Sequence, residues 1–69
     1  MVRKYVKFTG DVGLLLKGLP ERECLEEYFL TVNRFELKNE DDEGFEIYAL
    51  IKESHHYFYV QESDFEVII

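Results

Sequence analysis

Sixty-nine residues, 46% of them hydrophobic and 16% aromatic, make one small domain with ample core material and too many rings for a disordered segment. Fifteen acidic residues against eight basic ones give a formal charge of −7, and the basic residues are scattered apart from Arg3, Lys4 and Lys7. Binding to phosphate backbones or anionic lipid draws on clustered Lys and Arg, so direct nucleic-acid or membrane-surface binding is disfavoured, and the ordinary reading of the acidity is a solvated, soluble surface.

Cys24 is the single cysteine, which rules out an intramolecular disulfide of the kind small secreted domains rely on. The basic start at Arg3 and Lys4 is followed by no apolar h-region, and no apolar run approaches the roughly 20 residues that span a bilayer. These features predict a soluble, cytoplasmic protein.

In chain order, residues 2–8 alternate with period two, Val2, Lys4, Val6 and Phe8 on one face, and predict a strand. Residues 9–13, with Gly10 and Gly13, form a loop, and Leu14, Leu15 and Leu16 predict that this loop folds back over the core. Pro20 with Glu21 and Glu23 suits a helix start, and Cys24, Leu25, Tyr28 and Phe29 share one helical face. Tyr28 to Val32 is also dense in aromatic and β-branched residues, which favour strands. The reading adopted is a short helix near 20–27 and a strand near 28–38, although one helix from Pro20 to about Leu37 fits the same spacing. Residues 39–44 form a polar hairpin turn ending in Gly44. Phe45, Ile47, Ala49 and Ile51 then define the buried face of a strand over 45–52. A turn at 53–55, an aromatic strand at 56–60, a 3₁₀ corner at 61–64 and a last strand at 65–69 complete the chain.

The segment from Tyr5 to Asp11 with its loop to Gly18, and the ending from Tyr57 to Ile68, resemble small SH3-like barrel proteins of unknown function from phages and Gram-positive bacteria. The likeness covers the two chain ends, about 30 residues, and Leu19 to Leu30 fits it as an insertion. It implies a mainly β fold: a small SH3-like barrel of about five short strands, with one short helix or insertion near residues 20–27. It does not carry over proline-rich ligand recognition, because the chain has no Trp for a proline groove and no Pro in its closing segment. Fold likeness alone implies no function.

Three groups could carry chemistry, and each has a plainer explanation. His55 and His56 with Cys24 lack the spacing of a structural zinc site, and neighbouring strand residues point to opposite faces, so ordinary turn histidines are expected and no metal. Cys24 sits among Glu23, Glu26 and Glu27, an environment for a structural thiol rather than a nucleophile. Gly10-x-x-Gly13 lacks the Lys-Ser/Thr of a phosphate loop. No catalysis and no cofactor is expected.

The remaining feature is a run of tyrosines beside acids. Tyr48, Tyr57 and Tyr59 are expected on one face of the sheet with Glu46, next to the acidic tip Glu40, Asp41, Asp42 and Glu43. Exposed Tyr beside charge is the composition of a protein-binding surface. The expectation is a non-enzymatic interaction module or small modulator that binds a host or partner protein there. It could be phage-encoded, and a sharper form would imitate nucleic acid. The alternative is a structural or self-associating domain, a homodimer packed through the Tyr face and Ile68-Ile69.

Overall fold

A computed structural model describes residues 3–68. Five antiparallel strands form one sheet: β1 (Tyr5–Phe8), β2 (Phe35–Asp41), β3 (Gly44–Ile51), β4 (Ser54–Val60) and β5 (Phe65–Val67), in the order β4-β3-β2-β1-β5. Two helices, α1 (Val12–Leu15) and α2 (Arg22–Thr31), are inserted between β1 and β2, and a 3₁₀ turn (Glu62–Asp64) precedes β5. The fold is therefore mainly β, as the pattern predicts. Positions 2 and 69, the outer ends of the first and last predicted strands, lie outside the described residues. Among the described residues no helix is long and apolar enough to cross a membrane.

One face of the sheet is closed by the helices. Val6, Phe8, Phe35, Ile47, Phe58 and Val60 point inward and meet Leu16, Leu25 and Phe29. Phe29 is the hub. Its ring lies 4.9 Å from that of Phe35 and 5.5 Å from those of Phe8 and Phe58, so one side chain ties α2 to β1, β2 and β4. The sheet also curls strongly: Phe45 on β3 packs edge-on against Phe65 on β5, ring centres 5.0 Å apart, although two strands separate them in the order.

The helical region departs from the sequence reading in two places. The triple leucine is not a loop but the end of a single helical turn, capped by Asp11, whose carboxylate accepts from the Leu14 amide at 3.0 Å. Leu16 is fully buried, Leu15 half-buried and Leu14 exposed, so only part of the run covers the core. The predicted strand at 28–38 is corrected: Tyr28 to Thr31 belong to α2, and β2 begins only at Phe35. Strand propensity at Tyr28, Phe29 and Thr31 is outweighed because Leu25 and Phe29, four residues apart, then bury on one side of a helix. An Arg22–Glu26 pair at 2.8 Å adds a modest surface contact along α2.

The β3–β4 connection is also tighter than expected. The turn is Lys52-Glu53 rather than 53–55, and β4 starts at Ser54, which places His55 and His56 in the strand. Both turn residues have positive φ, 48° and 68°, the conformation that two-residue hairpins need to match strand twist. Neither Lys nor Glu favours it. Replacing the pair (Lys52→Asn with Glu53→Gly) is expected to raise stability by about 1–2 kcal/mol, read as a higher urea midpoint with an unchanged slope.

Candidate functional site

The outer face of the β3–β4 hairpin, away from the helices, carries the predicted tyrosines. The register sets Tyr48 opposite Tyr57, Glu46 opposite Tyr59 and Leu50 opposite His55. Tyr48 is half-buried at the centre. Its ring lies 4.9 Å from Tyr57 and stacks on His55 at 5.6 Å, and its hydroxyl shares a 2.5 Å hydrogen bond with His55 Nδ1. Lys38 Nζ sits 5.5 Å from the same ring on the β2 side. Tyr57 and Tyr59 stand 55% and 47% exposed, so the aromatic row opens to solvent toward β4.

The acidic tip is tied to this row through one carboxylate. Asp41 accepts hydrogen bonds from the Tyr59 hydroxyl and from the Glu43 and Gly44 amides, the last two at 2.8 and 3.1 Å. Gly44 is required beneath the ring. A Cβ there would stand 2.9 Å from Tyr59 Cε2 and 2.9 Å from the Val60 carbonyl oxygen. Gln61 closes the tip from the other side by donating to the Glu43 carbonyl at 2.8 Å.

The Tyr59 hydrogen bond, followed by that of the Glu43 amide, holds the Asp41 carboxyl below its ordinary value. The same hydrogen bond, joined by the fields of Asp41, Glu43 and Glu46, pushes the Tyr59 phenol up to about 12. Asp41 therefore contributes stability that is present above its unfolded value and lost as pH falls through its lower folded value. Tyr59, an acid with a raised folded value, contributes stability that is complete below 10 and lost as pH rises toward 12. In an alkaline absorbance titration Tyr59 is expected to ionise late, near pH 12. Asp41→Asn is expected to bring that ionisation back toward the ordinary range.

Of the eight predicted site residues, the fold brings together Tyr48, Tyr57, Tyr59, Glu46, Asp41 and Glu43. Asp42 forms the apex of the tip, and Glu40 is opposite Phe45, on the helix-covered side of the ladder. The cause is a bulge at Lys38. Simple alternation from Phe35 and Leu37 would turn Asp41 inward; the extra residue turns Asp41 out beneath Tyr59 and sends Glu40 the other way.

The two histidines have separate surroundings. His55 lies on the outer face against Tyr48, whereas His56 stacks on Phe58 on the inner face. Cys24 is half-buried against the core. Two residues that the sequence did not single out matter locally. Asn33 has a φ of 44° and bonds both backbone groups of Phe8. Arg34 lies 4.2 Å over the Tyr5 ring, and its carbonyl accepts from Tyr28, whose phenol burial pushes up. An Asn following a helix is a signal for a left-handed cap and could have marked Asn33.

Comparison with protein-family models, curated proteins and solved structures finds no match to this chain.

Proposed function

We propose that the chain is a non-enzymatic interaction module that binds a partner protein, in the cytoplasm, through the outer face of the β3–β4 hairpin and its acidic tip. The observation that carries this reading is the open row Tyr48–Tyr57 and Glu46–Tyr59, with Asp41 and Glu43 at its end. Tyrosines held by stacking and by hydrogen bonds to His55 and Asp41 lose little entropy on binding and offer large contact area. The neighbouring carboxylates favour a partner surface carrying Lys or Arg. The resemblance to small SH3-like barrels fits a module of this size.

Other acids lie on α2, at Glu23, Glu26 and Glu27, around the 3₁₀ turn, at Glu62 and Asp64, and elsewhere in the chain at Asp11, Glu21, Glu36, Glu53 and Glu66. This spread favours a protein-binding face over imitation of nucleic acid, which needs its charge on one side. Self-association through the same face is the second reading, supported by Leu50 and Tyr57, each 55% exposed.

A tagged pull-down across a salt series, read by mass spectrometry, tests the proposal. One dominant protein is expected at low salt, with recovery falling as salt rises. Pairing Tyr57→Ala with Glu46→Lys is expected to cut its recovery about tenfold or more. Recovery of bait alone, with a doubled mass in solution that rises with concentration, would overturn it in favour of self-association.

A further inference from the structure

Among the described residues strand β4 is an edge of the sheet, paired only with β3. Its register fixes which backbone groups are committed. The two-residue turn makes Ile51 and Ser54 a hydrogen-bonded pair, and such pairs alternate along an antiparallel ladder. Ser54, His56, Phe58 and Val60 therefore bond β3, while the N–H and C=O groups of His55, Tyr57 and Tyr59 face away from the sheet. Among the described residues no other backbone group bonds them. Three donors and three acceptors are thus open along about 13 Å of strand.

Beside this edge lies an open groove of about 490 Å³. Leu15 at the end of α1, Leu19, Pro20 and Glu21 of the connection, and Leu25 of α2 overhang it on the inner side. Leu19 is 40% exposed there. On the outer side stand Tyr57 and Tyr59, with Asp41, Glu43 and Glu46 gathered at the Tyr59 end.

We infer that this groove takes an extended peptide of a partner protein as a sixth strand, with alternate side chains apolar toward the overhang and Lys or Arg toward Tyr59 and its carboxylates. The inference rests on the protein-binding reading above and deepens it by naming the partner's form. Each element of the site selects one property. The open backbone groups select an extended chain, and period two sends alternate side chains to opposite faces. The apolar overhang selects one set. The Tyr rings and three carboxylates select cations for the other, through charge and ring contact together.

A second copy fits the groove less well. The inner face of its own β4 is already filled, Phe58 being only 7% exposed under its own helices. Pairing two β4 edges would also bring both α1–α2 overhangs to the same side, where they compete for one space. A free peptide strand carries no such cover.

The probe is a blocked six-residue peptide of alternating arginine and leucine, added to the isotopically labelled full chain and followed by amide hydrogen exchange. Exchange at His55, Tyr57 and Tyr59 is expected to slow about tenfold or more on saturation, while amides already in the ladder change little. Methylating the alternate peptide nitrogens that face β4 leaves every side chain in place, and is expected to weaken binding about tenfold per methyl. A glutamate-leucine peptide is expected not to bind. Tyr57→Pro, which removes one outward N–H at an edge position that tolerates proline, is expected to weaken binding about tenfold beyond Tyr57→Val, which serves as the side-chain control.

Binding that shifts the Tyr48, Tyr57 and Tyr59 side-chain signals, without protecting those amides and without sensitivity to methylation, would overturn the strand-addition inference and leave the interaction face standing. Protection that rises with protein concentration in the absence of peptide would overturn it in favour of a second copy at the edge. Loss of both the peptide effect and the salt-sensitive pull-down would overturn the two readings together.

Discussion

Phe29→Ala is expected to leave most of the protein unfolded at room temperature. The Phe29 side chain is 3% exposed and contacts three other core rings, so its removal leaves a cavity bounded by α2 and three strands. Deleting a buried Phe costs about 3–5 kcal/mol. A single core in a domain of this size supplies only about 3–5 kcal/mol in total. The two quantities are equal in scale, so folded and unfolded forms should stand near balance or beyond it. Phe29→Leu retains most of the volume and is expected to cost under about 1.5 kcal/mol, leaving a cooperative transition. Leu30 supplies the control. It is the next residue on the same helix but 82% exposed, and Leu30→Ala should move stability by no more than about 0.5 kcal/mol. Urea denaturation followed by circular dichroism reads all three. A native-like midpoint for Phe29→Ala would mean that α2 is held by something other than this aromatic cluster.

The same cluster explains why part of the fold was legible in the sequence and part was not. The β3 strand was readable because Phe45, Ile47, Ala49 and Ile51 face one side while Glu46, Tyr48 and Leu50 on the other keep partial or full access to solvent, and period two survives that asymmetry. Tyr28 to Thr31 was not readable, because a short aromatic and β-branched run fits a strand as well as a helix. The deciding contacts, Phe29 with Phe35 and Phe58, join residues far apart in sequence, and no local pattern carries them. The Lys52-Glu53 turn was missed for a different reason: neither residue advertises the left-handed conformation both adopt. At the candidate site, the shared face of Tyr48, Tyr57 and Tyr59 follows from strand alternation alone. The position of Asp41 does not, since it depends on one bulge at Lys38 that reverses alternation for the rest of β2. The edge position of β4, on which the docking groove depends, is a property of strand order and has no signature within the strand itself.

Asn33 carries the second large effect, and its two contributions can be separated. Its side-chain oxygen accepts from the Phe8 amide and its nitrogen donates to the Phe8 carbonyl, both at 2.8 Å, so the amide acts as one rung of a ladder where β1 leaves the sheet. Its backbone has a φ of 44°, between the end of α2 and the start of β2. Asn33→Ala loses both bonds at a partly buried position and places Cβ in an unfavoured conformation; the expected cost is about 2–4 kcal/mol. Asn33→Gly loses the bonds but not the conformational ease, and is expected to recover about 1 kcal/mol of that cost. Asn33→Asp preserves acceptance from the Phe8 amide but sets a carboxylate against the Phe8 carbonyl. The protonated form of the new carboxyl can donate to that carbonyl and the ionised form cannot, so folding should raise its pKa. The contribution of this carboxyl should then be most favourable in acid, below its unfolded value, so that relative to the parent the variant loses stability as pH rises through the raised folded value. The parent Asn33, which does not titrate, should lack this dependence. Matched urea midpoints across the acid range for the parent and Asn33→Asp test the sign. Parallel curves would show that the side chain does not hold β1 in solution.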